Sequence, residues 1–173
     1  MENWLLFLLL LILILIILIY NIIEHNEDKV LFYPSKRKNW KPEIGYKKVF
    51  INVKDPCDVV YSSRDRKKNC DYISGWHFDN FKNAKTIMFA HGNSGCINQR
   101  KYIINMCHKF KLNLFVFDYR GYGSSDSHPN KIFLREDGEL AYEYLHHACK
   151  IPNSKIIIYG VFTKTDLLQP HSY

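Results

Sequence analysis

Residues 85–95 read KTIMFAHGNSG. A short apolar run, Thr86 to Ala90, passes at once into His91, Gly92, Asn93, Ser94 and Gly95, a loop of small and polar residues. Working outward, LNLFVF at 112–117 and KIIIYG at 155–160 are runs of the same kind. Between the first and second lies NQRKYIINMCHKF (98–110), and between the second and third LREDGELAYEYLHHACK (134–150), both with apolar residues at helical spacing. Buried-type strands alternating with helices predict βαβ units and a mostly parallel sheet covered by helices, with a crevice at the carboxyl ends of its strands. Upstream, YKKVFINVK (46–54) and DYISGWHFDN (71–80) predict two further strands.

The crevice-side loops carry the chemistry. After the first run, His91-Gly92-Asn93-Ser94 offers free backbone amides ahead of a helix, suited to a developing oxyanion; a plain strand-to-helix turn uses the same residues. After the second, FDYRGYGSSDSHP sets Asp118 and Arg120 to pair and brace a loop whose sharp path Gly121 and Gly123 permit, a scaffold role.

The chain begins differently. From Trp4 to Ile19 no charged or polar side chain occurs, and Ile22 and Ile23 extend the run past Tyr20 and Asn21. About twenty helical residues span about 30 Å, the hydrocarbon thickness of a bilayer. The lack of Lys or Arg before the run and of a small-residue cleavage site after it favours a membrane anchor over a signal peptide. A core helix would show a polar face. The expected division is an anchor at 1–23, a connector at 24–45 broken by Pro34 and Pro42, a domain at 46–160 and a divergent tail at 161–173.

All 24 Lys and Arg follow the anchor, against 16 of the 17 acids. No nucleic-acid-binding motif accompanies the excess, so a solvated surface and attraction to anionic lipid headgroups are the readings retained, and no nucleic acid is expected as a partner. Lys29, Lys36, Arg37, Lys38 and Lys41 crowd one side of the anchor, which favours a cytosolic domain. Five scattered cysteines show no metal-type spacing and read as ordinary thiols. Neither a metal nor a cofactor is expected.

FAHGNSG, FVFDYRGYGSSDSHP, EDGELAYEYL and KIIIYG together, in this order and spacing, resemble the α/β-hydrolase superfamily, and most of all its membrane-anchored branch of α/β-hydrolase-domain-containing proteins. VLFYP after the anchor and ISGWHF before the first motif look like that branch too. The resemblance implies a partial α/β-hydrolase fold behind one transmembrane helix. It implies an oxyanion hole at His91-Gly92-Asn93 with the Ser94 amide as a donor, a structural loop at 118–123, and an Asp137 without catalytic duty. For a full-length form it implies an acyl-ester or lipid substrate. Members of the branch face either side of the membrane, so the side stays open.

In that superfamily the third strand continues into Gly-x-Ser-x-Gly, a strained turn that lifts the nucleophile above the sheet. Here the matching residues are Gly160-Val161-Phe162-Thr163-Lys164, with Phe162 at the nucleophile position. None of the ten serines lies in a Gly-x-Ser-x-Gly context. Thr163 is displaced by one residue, and Asp166 and His171 are crowded too closely together to form a relay. The expectation is a chain that is incomplete and catalytically inactive, its tail replaced by a frameshift, an alternative exon or a retained intron. The alternative is a non-catalytic membrane protein that uses the half-fold for binding or regulation. In either case the last strand is expected to form an exposed apolar edge that calls for a partner chain.

Overall fold

The computed structural model describes residues 2–35 and 40–161 of the chain. It divides into two units, Met1–Phe32 and Tyr33–Tyr173. The first is helix α1, Glu2–Leu31, so the helix runs beyond residue 23 and takes up the first part of the expected connector. Its segment Trp4–Glu24 is long and apolar enough to cross a membrane, with none of its surface buried. Asn21 Nδ2 donates to the Ile17 carbonyl one turn back, at 2.9 Å.

The second unit begins with strand β1 (Tyr33–Pro34) and continues through β2 (Lys47–Asn52), β3 (Asp55–Val60), β4 (Tyr72–Phe78), β5 (Thr86–Ala90) and β6 (Ser94–Gly95). Helix α2 (Lys101–Lys109), strand β7 (Asn113–Asp118), helix α3 (Lys131–Glu143) and strand β8 (Ile156–Gly160) complete it. Six strands form one sheet in the order β3-β2-β4-β7-β5-β8, and β1 pairs separately with β6. The pairings β7–β5 and β5–β8 are parallel; α2 carries the chain from β5 to β7 and α3 carries it from β7 to β8. Through β4, β2 and β3 the pairing is antiparallel, as the short turns and loops between those strands require.

Alternation along the central strands builds a core on each sheet face. Leu114 and Val116 of β7 join Ile87 and Phe89 of β5 and Trp76 and Phe78 of β4 under Ile103, Ile104 and Cys107 of α2. On the opposite face Phe115 packs 4.9 Å from the Tyr144 ring and 5.7 Å from the His77 ring. That aromatic layer needs Gly75, because a Cβ there would lie 2.6 Å from the Phe115 ring.

Helix α3 starts before the expected residue 134 because Asn130 caps it, accepting from the Phe133 amide at 2.7 Å. Its last expected turn, Tyr144–Ala148, is π-helical. Strand β8 differs from its neighbours. Every residue of β5 is buried, whereas Ile157, Ile158 and Tyr159 stay 39–45% exposed. It therefore closes one side of the sheet, among the described residues, as the apolar edge the sequence predicts.

Candidate active site

The candidate site lies where β5 and β8 end side by side. Ala90 is in register with Gly160, and the Val161 amide donates to the Ala90 carbonyl at 3.0 Å. A Cβ on Gly92 would lie 3.6 Å from a Val161 methyl. The 91–95 loop thus leaves the sheet against the backbone that leads to position 162. Phe162, Thr163, Lys164, Asp166 and His171 themselves lie outside the described residues.

Each side of the loop is tied down. The Tyr33 amide donates to the Asn93 carbonyl at 2.9 Å, and Tyr122 Oη donates to the same oxygen at 2.8 Å. Strand β1 lies parallel to β6 with Tyr33 opposite Ser94. In a parallel ladder only alternate residues of a strand turn their amides toward the partner, so this pairing leaves the Ser94 amide unused. The Arg100 guanidinium donates to the Ser94 carbonyl.

His91 sits at the base of the loop with its side chain wholly out of solvent. Its Nδ1 lies 2.7 Å from the Gly92 carbonyl, which only accepts, so Nδ1 carries the proton. The ring is wedged edge-on between Tyr119 and Tyr122, at 4.9 and 5.2 Å. Its Nε2 is 3.5 Å from Asp118 Oδ1 and makes no hydrogen bond. A ring enclosed in this way holds the turn and has no route for taking a proton from a substrate.

A scan against protein-family models finds no match. Among curated proteins, the chain is 34% identical over 108 residues to the α/β-hydrolase domain-containing protein aho-3 of Caenorhabditis elegans, covering 60% of this chain and 31% of that protein. It is 31% identical over 91 residues to α/β-hydrolase domain-containing protein WAV2 of Arabidopsis thaliana, covering 51% and 30% of the two chains. Protein bem46 of Schizosaccharomyces pombe is 35% identical over 78 residues, 43% and 25% of the two. The esterase Pf2001 of Pyrococcus furiosus superposes with a TM-score of 0.56 at 22% identity, over 74% of this chain and 48% of that structure. The chain thus has the α/β-hydrolase fold and is similar in sequence to α/β-hydrolase domain-containing proteins. It spans about a third of the length of the curated relatives and about half of the esterase.

Within this α/β-hydrolase frame the loop at 118–123 is a scaffold, though its wiring differs from the expected Asp118–Arg120 pair. Asp118 Oδ1 accepts from the Ile97 amide at 2.8 Å, and its backbone carbonyl accepts from Ser125 Oγ at 2.6 Å. Gly123, at φ +50°, passes so close that a Cβ would overlap the Asp118 carboxylate. Arg120 turns the other way. Its Nε and its backbone amide both donate to Asp137, each at 2.7 Å, and its Nη2 donates to Glu136 at 2.7 Å. The guanidinium also lies 3.7 Å from the Phe133 ring centroid. Burial pushes the Asp137 carboxyl up to about 6, while the Arg120 amide and guanidinium pull it back toward the ionised form. Asp137 is thus the buried anchor of the loop, beyond the reach of local sequence reading.

Tyr122, Tyr119 and Tyr33 were not marked as site residues by sequence, although YRGYG and VLFYP carry them. Among the described residues no group of three or more His, Cys, Asp or Glu is arranged to hold a metal. The five cysteines are unpaired, and burial raises the Cys107 thiol to about 11.

Proposed function

We propose that this chain is a membrane-anchored member of the serine-hydrolase lineage that presents one half of an acyl-transfer site and performs no turnover. The observation that carries this reading is the Ala90–Gly160 register, which sets Gly92 against Val161 one residue before Phe162. In an acyl-transfer site the nucleophile follows that strand, and the loop opposite stabilises the oxyanion. The loop amides, Ser94 foremost, supply the second function; a benzyl side chain cannot supply the first. Forms carrying Ser within Gly-x-Ser-x-Gly would take acyl esters or lipids. The anchor is Trp4–Glu24, and the basic residues that follow it favour a cytosolic domain.

A fluorophosphonate probe tests the reading, because it reacts with an activated serine and not with an inert one. The purified full chain in detergent is expected to show no labelling and no p-nitrophenyl-ester release above a heat-treated control. Labelling that maps to a single serine would overturn it.

A second reading rests on β8. With Ile157, Ile158 and Tyr159 exposed and its outer backbone edge unpaired with any described strand, β8 fits a role in which a partner chain extends the sheet. The chain would then act as a binding or regulatory subunit.

A further inference from the structure

The solvent side of α2 carries an unusual combination. Tyr102, Met106 and Phe110 recur every fourth residue and form one stripe, 53%, 36% and 64% exposed, on the side away from buried Ile103, Ile104 and Cys107. Exposed Lys101, Lys109 and Lys111 flank the stripe. From residue 80 to residue 117 the chain contains six Lys and Arg and no Asp or Glu. The segment around α2 is therefore of one sign.

We propose that this face is a second membrane contact, in which the Tyr102–Met106–Phe110 stripe enters the headgroup region of an anionic bilayer and the lysines pair with lipid phosphates. Aromatic and thioether side chains interleaved with lysine are the composition of interfacial helices, the rings at headgroup depth and the amines reaching outward. A protein partner would need pockets for its anchoring side chains. The recess lined by Ile44, Ile104 and Leu112 holds ≈10 Å³ and includes none of the three stripe residues. A bilayer needs no pocket, because it deforms around a ridge. Tethering adds to this: strand β1, which follows closely on α1, pairs with β6 just ahead of α2. The chain that leaves the anchor is thus fastened near the start of this helix, and the lipid is present at high effective concentration. Anionic lipid is specified because the flanking charges are all cationic, and such attraction weakens with salt.

The inference rests on the membrane-anchor reading, and the two fail separately: flotation of the full chain with vesicles tests the anchor, and side-chain footprinting tests the face. Met106, Tyr102 and Phe110 all react with hydroxyl radicals, and Tyr61, 65% exposed on another part of the domain, serves as the reference. The full chain would be footprinted in nanodiscs of phosphatidylcholine alone, in discs containing phosphatidylserine, and in detergent. Several-fold lower oxidation of the stripe relative to Tyr61, only in the phosphatidylserine discs and reversed by high salt, is the expected result. The double variant Lys109→Glu, Lys111→Glu should remove that protection while leaving Tyr61 unchanged. Equal oxidation in all three settings would overturn the proposal. So would protection that persists in detergent, which assigns the face to a second copy or an acidic protein.

Discussion

At the scale of single residues the pivotal contact is Arg120 with Asp137, both buried, joined by a side-chain and a backbone hydrogen bond. Removing Asp137 from this pair costs about 3 kcal/mol, the lower end for a buried pair, because Arg120 keeps Glu136. Asp137→Ala is therefore expected to lower the urea unfolding midpoint by that equivalent, whereas Asp137→Asn, which still accepts a hydrogen bond, should cost less. Local reading paired Arg120 with Asp118 because they are two positions apart. Asp118 is occupied by the Ile97 amide and hemmed in by Gly123, and nothing in the adjacent sequence announces a partner seventeen residues away. His91 was legible for the opposite reason. Its neighbours Gly92 and Asn93 already define a turn, and a histidine before such a turn can bond its own backbone, as it does here.

Among the elements, legibility followed burial. Strands β5 and β7 stand out as apolar runs because every residue in them is buried, and the helices that follow them show their period. Strand β3 left no such signal. It reads DPCDVV, with two aspartates and Pro56, a sequence poor in strand formers. It exists because it is the outer strand of the sheet, where a proline need not donate to a neighbour. The opposite edge lacks any such protection, since β8 is entirely uncharged over Ile156–Gly160. Ile158→Lys should therefore suppress self-association in light scattering while changing the unfolding free energy by no more than about 0.5 kcal/mol, the usual range for an exposed site. Undiminished association would mean that β8 is not the sticky surface.

At the scale of the whole molecule, the order and spacing of four short motifs sufficed to place the fold, because three mark the ends of β5, β7 and β8, which are neighbours in the sheet, and the fourth lies in the helical crossover between β7 and β8. At the opposite end of the sheet ISGWHF marks a strand but does not announce the Tyr144 ring that His77 meets. Its Nδ1 lies 3.1 Å from Tyr144 Oη, and burial lowers its pKa from 6.5 to about 4, so the folded protein holds it neutral. An unfolded chain takes up that proton first. This contribution is complete above pH 6.5 and is lost as pH falls toward 4. Asp137, raised from 3.8 to about 6, acts in the opposite sense over most of that window. A His77→Phe variant should therefore lose less stability than the parent between pH 6.5 and 4 when both are unfolded in urea; parallel pH profiles would refute the assignment.

The pairing of β1 with β6 has a mechanical consequence. The chain from the apolar helix is knotted by hydrogen bonds to Asn93 and Gly95 within a few residues of leaving it. Force carried along the chain from α1 would thus reach the 91–95 loop before any part of the central sheet, making that loop the first place to register strain.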